Sequence, residues 1–116
     1  NRGNQDQAYL CGRLFAVLER IQEQADGGKL NSTIKDRYFA SATSKPASIF
    51  PTLIKLEQHH LKKLPEGSQV FYSKIISEIM DGLENEFPTL LSLTNQGKFI
   101  VGYYQQMQAF YTKKEN

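Results

Sequence analysis

Three lysines and a histidine in the middle of the chain are spaced to share one side of a helix. At about 100° per residue they fall within roughly one 100° sector, and they are Lys55, His59, Lys62 and Lys63. The apolar residues of the same segment fall on the other side: Ile49, Leu53, Leu56 and Leu64. Lysine ammonium groups bind phosphates as point charges without reading base sequence. We call the four polar residues the lysine ridge, which predicts phosphate contact; the alternative is a solvated face that keeps a small domain soluble.

Other cations are placed on helix flanks and loops. Arg13 and Arg20, seven residues apart, lie together on the first predicted helix, whereas Lys35 and Arg37 lie on the exposed face of the second and Lys45 follows it. Guanidinium groups suit bidentate phosphate contact especially well. The candidate nucleic-acid-binding residues are Arg13, Arg20, Lys35, Arg37, Lys45, Lys55, Lys62 and Lys63. Lys29, Lys74 and Lys98 lie on other faces or loops and are weaker candidates.

Residues suited to catalysis are present but do not assemble a recognisable site. His59 and His60 are adjacent, so on a helix they point about 100° apart and cannot chelate one ion together. We interpret His60 as a core or interface histidine satisfied by a hydrogen bond, and Cys11 as filling core space. Glu19 and Glu23 are spaced as an exposed helical pair. We therefore expect no catalytic residue, no metal and no cofactor; the alternative, an enzyme using His59 or His60, requires further ligands.

Residues that typically begin or end helices recur along the chain, and no segment alternates apolar and polar residues as a half-buried strand would. This pattern predicts an all-α protein, a compact bundle of about five helices in a single domain over residues 1–116. The first helix is predicted from Gln7 to Gln24, ended by the Asp26-Gly27-Gly28 run. The second begins after an N-cap at Asn31 or Ser32, with Ile34, Tyr38 and Phe39 turned inward. The third opens at Pro46, with Pro51 delaying its start or kinking it, and ends at Leu64.

Ser68 is predicted to cap the fourth helix, and the fifth is predicted from about Ser92 to Thr112. The inward residues of the fourth are Val70, Phe71, Ile75, Ile76, Ile79 and Leu83. Those covering a broad face of the fifth are Leu93, Phe99, Ile100, Tyr103, Tyr104, Met107, Phe110 and Tyr111. Tyr72, outside the main stripe of its helix, and Tyr104 are the aromatics best suited to stack on bases.

The overall charge of the chain is small, so a nucleic-acid-binding function has to be judged from the positions of its cations. The 116 residues hold 14 basic and 12 acidic side chains, a net charge of +2, so bulk charge does not indicate a nucleic-acid binder. The single cysteine excludes an internal disulfide. No apolar run approaches the roughly 20 residues that a membrane span needs, and we expect a soluble, cytoplasmic protein.

Several long segments together resemble one family. They are AYLCGRLFAVLE (8–19), TIKDRYFASA (33–42), PASIFP (46–51), HHL (59–61), and GYY (102–104) through FYTKK (110–114). With them the chain resembles the C-terminal helical region of the large subunit of the type I-C CRISPR effector complex, Cascade. That region is similar to the separately translated small subunit of the complex.

The resemblance implies a non-catalytic helical subunit along the inner face of the guide-RNA backbone assembly, in several copies. It would stabilise the R-loop, the displaced DNA strand together with the guide RNA–target DNA hybrid. The implied partners are the backbone and large subunits, further copies of the chain, guide RNA and target DNA, with no membrane. A scaffold that bridges protein neighbours without touching nucleic acid is the alternative.

Overall fold

A computed structural model describes residues 6–27 and 34–113, and over these residues it contains α-helices and no strand. The five helices are α1 (Gln7–Asp26), α2 (Ile34–Ser44), α3 (Pro46–Leu61), α4 (Glu66–Leu83) and α5 (Leu93–Lys113). The prediction of an all-α bundle of about five helices is confirmed. Among the described residues, no helix is both long and apolar enough to cross a lipid bilayer.

The first helix, α1, lies at the centre of the bundle and packs against each of the other four helices. The side chain of Asp6 caps its start by accepting a 2.8 Å hydrogen bond from the Ala8 amide. Gly27 ends it in the left-handed conformation, at φ 61°. Because neighbours cover α1 on several sides, four consecutive residues, 14 to 17, are all buried. The predicted single apolar stripe therefore understates how much of this helix is core.

The backbones of α1 and α5 touch where two glycines face the opposite helix. A Cβ atom on Gly12 would lie 1.9 Å from the carbonyl oxygen of Phe99, and one on Gly102 would lie 2.2 Å from that of Tyr9. No side chain fits in either position, so both sites require glycine. We call this contact the α1–α5 interface.

An aromatic cluster joins four of the helices around Phe15 of α1. Its ring lies edge-on to Phe39 of α2 at 5.4 Å and to Phe50 of α3 at 6.3 Å. It also lies 6.1 Å from Phe99 and 6.0 Å from Tyr103, both on α5. Such pairs add to the free energy gained from burying the rings. The inward orientation predicted for Ile34, Tyr38 and Phe39 is confirmed, since they are buried or half-buried.

The boundaries of α3 and α4 differ from the predictions. The third helix begins at Pro46 and includes Pro51, so the predicted delayed start is wrong, and it ends at Leu61 rather than Leu64. The fourth begins at Glu66 with Pro65 as its N-cap, so Ser68 is not the cap. Proline fits the start of a helix because its φ is already near the helical value. The predicted N-cap of α2, Asn31 or Ser32, lies outside the described residues.

The inward faces of α4 and α5 are narrower than predicted. On α4, Val70 is exposed and Tyr72 is buried, the reverse of the prediction, because α4 meets α1 along a face rotated toward Tyr72. Of the residues predicted to cover a face of α5, Phe99, Tyr103 and Phe110 are buried, whereas Leu93, Ile100, Tyr104 and Tyr111 are exposed. Since α5 packs mainly on α1 and, less extensively, on α2, the side turned away from both is left to solvent.

Candidate nucleic-acid interface

The lysine ridge is the part of the predicted site that the structure leaves most open. Lys55, His59, Lys62 and Lys63 are all exposed, while Leu53 on the other side of α3 is fully buried. Among the described residues, no carboxylate forms a salt bridge with these three lysines. Leu56 was expected to face inward but is 37% exposed, which widens the solvent-facing side of α3.

The end of α3 presents two of the ridge lysines. The amide of Lys62 donates to the Gln58 carbonyl at 3.2 Å and that of Lys63 to the His60 carbonyl at 3.0 Å. Both residues thus lie at the negative end of the helix dipole, where a cation is stabilised. The backbone is ordered by hydrogen bonds while the side chains extend into water, an arrangement that suits contact with a flexible polyanion.

Two further predicted cations, Arg37 and Lys45, are also exposed. Arg37 lies on α2. Lys45 is the N-cap residue of α3, with φ −134°, and its side chain makes no capping hydrogen bond. Both stay available for an anionic partner, on elements adjacent to the ridge helix.

The remaining predicted cations are engaged within the molecule. Arg13 donates through Nε to Gln106 Oε1 at 2.8 Å. Arg20 has a side chain only 13% exposed, and its Nη1 lies 3.2 Å from Glu23 Oε1. Since α5 lies across the flank of α1 that carries both arginines, the exposed flank expected from spacing is a helix–helix contact.

Lys35 was expected on an exposed face of α2, but it is half-buried against α5. Its Nζ lies 5.0 Å and 5.1 Å from the ring centres of Tyr103 and Tyr104 and donates to the Tyr104 hydroxyl at 3.2 Å. An ammonium group is attracted to the negative face of an aromatic ring. That attraction explains why the side chain turns toward α5 rather than into water.

Of the weaker candidates, Lys74 and Lys98 are exposed, and Lys98 Nζ pairs with Asp6 Oδ2 at 3.0 Å. Lys29 lies outside the described residues.

A family model described as CRISPR-associated protein (Cas_Csd1) matches residues 1–111 of the chain. The chain belongs to this family. The resemblance to a Cascade-related CRISPR protein is thereby confirmed at the level of the family. No curated protein matches the chain.

On the inner side of α3, this member of the CRISPR-associated family buries an acidic group. Glu57 is 1% exposed, and its Oε1 lies 3.0 Å from His60 Nδ1, while its Oε2 has no hydrogen-bond partner among the residues that the structure describes. His60 Nε2 lies 4.0 Å from Asp26 Oδ2. The hydrogen bond predicted for His60 is confirmed. Burial, with Asp26 nearby, raises the pKa of Glu57 to about 8, and burial lowers the pKa of His60.

Glu57 also lines a cavity of about 170 Å³ between α1, α3 and α4, walled by Leu18, Ile54, Ile76 and Ser77. The sequence analysis did not single out Glu57. Its spacing could have found it, since Glu57 follows buried Leu53 by four residues and precedes half-buried Leu61 by four.

Two other acidic and nucleophilic groups are confined to the core. Glu19 was predicted to be exposed with Glu23, but it is 8% exposed and accepts a hydrogen bond from the Tyr103 hydroxyl. Cys11 is fully buried, as predicted, and burial raises the pKa of its thiol to about 12. A thiol with this pKa stays protonated at neutral pH and is a poor nucleophile. Among the described residues, no cluster of His, Cys, Asp or Glu has the arrangement of a metal site.

Proposed function

We propose that the chain is a non-catalytic subunit of a type I-C CRISPR surveillance complex, equivalent to its small subunit, and that it binds nucleic-acid backbone to stabilise the R-loop. The observation that carries this proposal is the lysine ridge. It presents three exposed lysines without salt bridges among the described residues, in a chain that belongs to a CRISPR-associated family.

The energetics of strand exchange make a small basic surface sufficient. An RNA–DNA hybrid is about as stable as the DNA duplex that it replaces, so modest contacts between protein and backbone tip the balance toward the open R-loop. Several copies side by side would add their contacts along one strand, since each further contact is intramolecular. A net charge of only +2 is compatible with this role, because the other faces would meet protein neighbours.

We include in the proposed contact surface only those cations whose side chains are exposed. Arg37 and Lys45 join the ridge as exposed contacts. Arg13, Arg20 and Lys35 are assigned to internal contacts, because their hydrogen bonds and ring contacts would have to break before they could reach phosphate.

Charge reversal at the ridge tests the proposal. We expect the variant Lys62→Glu/Lys63→Glu to fold normally but to weaken binding of single-stranded DNA and R-loop formation by the reconstituted complex. The slope of log affinity against log salt should fall by about 0.7 for each lost phosphate contact. Lys74→Glu, an exposed lysine of α4 outside the ridge, is the control for added negative charge.

Unchanged target binding by the double variant would remove the ridge from the site and favour the scaffold function. A specific observation supports that second candidate: Leu93 is 84% exposed and Val101 49% exposed on α5, which is typical of a protein-binding face.

The third alternative, an enzyme using His59 or His60, is tested by a His59→Ala/His60→Ala variant. Retained activity of the complex would dispose of it.

A further inference from the structure

Two exposed tyrosines lie in line on the outward side of α5. Tyr104 is 52% and Tyr111 49% exposed. They are seven residues apart, which on an α-helix places them about 20° apart in direction and about 10.5 Å apart along the axis. Both side chains therefore leave α5 on the same side.

Contacts with other residues hold each ring in place. The Tyr104 hydroxyl accepts from Lys35 Nζ, and its ring meets the edge of Tyr103 at 4.9 Å and 82°. The Tyr111 ring has the guanidinium carbon of Arg20 5.1 Å from its centre. A side chain already held in one orientation loses little conformational entropy when a partner binds.

The residues of α5 itself suit an anionic partner, and the Glu23 carboxylate of α1, near Tyr111, is paired with Arg20 at 3.2 Å. No aspartate or glutamate occurs in α5, so the helix offers no carboxylate that would repel phosphate. Gln108 is exposed and lies between the rings, four residues after Tyr104 and three before Tyr111. Its amide can donate to and accept from base edges.

We propose that Tyr104 and Tyr111 form a base-stacking surface for single-stranded nucleic acid. This inference rests on the proposed nucleic-acid function and specifies its substrate as a single strand, because the ring faces of bases inside a duplex are covered by their neighbours. The axial spacing of about 10.5 Å between the two residues equals roughly three base steps at about 3.4 Å. The two rings would take bases three nucleotides apart, without regard to sequence.

Comparison of two oligomers of equal charge tests the proposal on the 116-residue chain. The probes are an oligothymidylate of about 12 nucleotides, within the range of known single-strand sites, and an abasic phosphodiester oligomer of the same length. The variants are Tyr104→Leu/Tyr111→Leu, which keeps apolar surface but removes both rings, and Tyr104→Phe/Tyr111→Phe, which keeps the rings. Thermal melting confirms that each variant is folded.

We expect the wild-type chain to bind oligothymidylate at least about fivefold more tightly than the abasic oligomer, since each stacked base is worth that much or more. The leucine variant should lose this preference, and the phenylalanine variant should keep most of it. Equal binding of the two oligomers by wild type, or an unchanged preference in the leucine variant, would overturn the stacking surface while leaving backbone binding intact. In that case the apolar side of α5 is better explained by a protein partner. If neither oligomer binds, both this inference and the proposed function fail.

Discussion

The α1–α5 interface and the lysine ridge use the same kinds of residue in opposite ways. At the interface, Arg13 and Arg20 are held by a hydrogen bond, a salt bridge and aromatic rings. On the ridge, Lys62 and Lys63 extend into water. A cation on a helix flank is therefore available to a partner only where no neighbouring helix covers that flank.

The largest loss of stability is expected when the backbone contact of the α1–α5 interface is disturbed. Gly12→Ala would place a Cβ 1.9 Å from a carbonyl oxygen, and backbone cannot rotate away as a side chain can. We expect a loss of at least about 3 kcal/mol in the free energy of unfolding, at the upper end of overpacking effects, measured by urea denaturation.

Gly97→Ala on α5 is the matched control. A Cβ there meets nothing within 4 Å, so the change should stabilise the helix by about 0.5–1 kcal/mol. Equal stabilities of the two alanine variants would show that the helices do not meet through their backbones.

The inner side of α3 should make the free energy of unfolding depend on pH. Glu57 has a pKa of about 8 in the folded protein against 4.5 as its ordinary value, so between these pH values unfolding releases a proton. The free energy of unfolding should therefore fall as pH rises through this window, by up to about 1.4 kcal/mol per pH unit.

Two groups face Glu57 and modify that slope. Asp26 of α1 extends the pH window upward by raising the pKa of Glu57, whereas His60, with its pKa lowered by burial, acts in the opposite direction as the pH falls below about 6.5. Urea denaturation from pH 5 to 8 measures the combined pH dependence of the free energy of unfolding. Glu57→Gln should reduce this dependence. A variant whose slope equals that of wild type would assign the pH dependence to other groups.

The smallest effects on stability are expected from replacing one cation in each region, Arg20 at the α1–α5 interface and Lys62 on the lysine ridge. Arg20→Met should cost about 1 kcal/mol, because it removes a salt bridge and two ring contacts. Lys62→Met should change stability by less than about 0.5 kcal/mol, as is usual for an exposed side chain without such contacts. The same two variants should rank in reverse order for loss of DNA affinity. If Arg20→Met weakens DNA binding more, the division between internal and partner-facing cations is wrong.

The sequence carried enough information to predict the five helices and the exposure of the ridge, because both follow from spacing within one segment. It could not predict where Arg13, Arg20 and Lys35 would lie, since their environment is set by α5, more than sixty residues away in sequence. The burial of Glu19 has the same cause, as its hydrogen-bond partner is Tyr103 of α5. The orientation of Tyr72 was mispredicted because the stripe of α4 alone does not show which side meets α1.

The pairing of the first helix with the last also constrains the order of folding. Gly12 meets Phe99 across most of the length of the chain, so the central contact of the bundle has a large sequence separation and a high entropic cost of loop closure. During synthesis, α1 would leave the ribosome long before its principal partner exists. The part of its apolar surface that α5 covers would stay exposed until α5 is made, so the native core should be complete only after residue 113 has been translated.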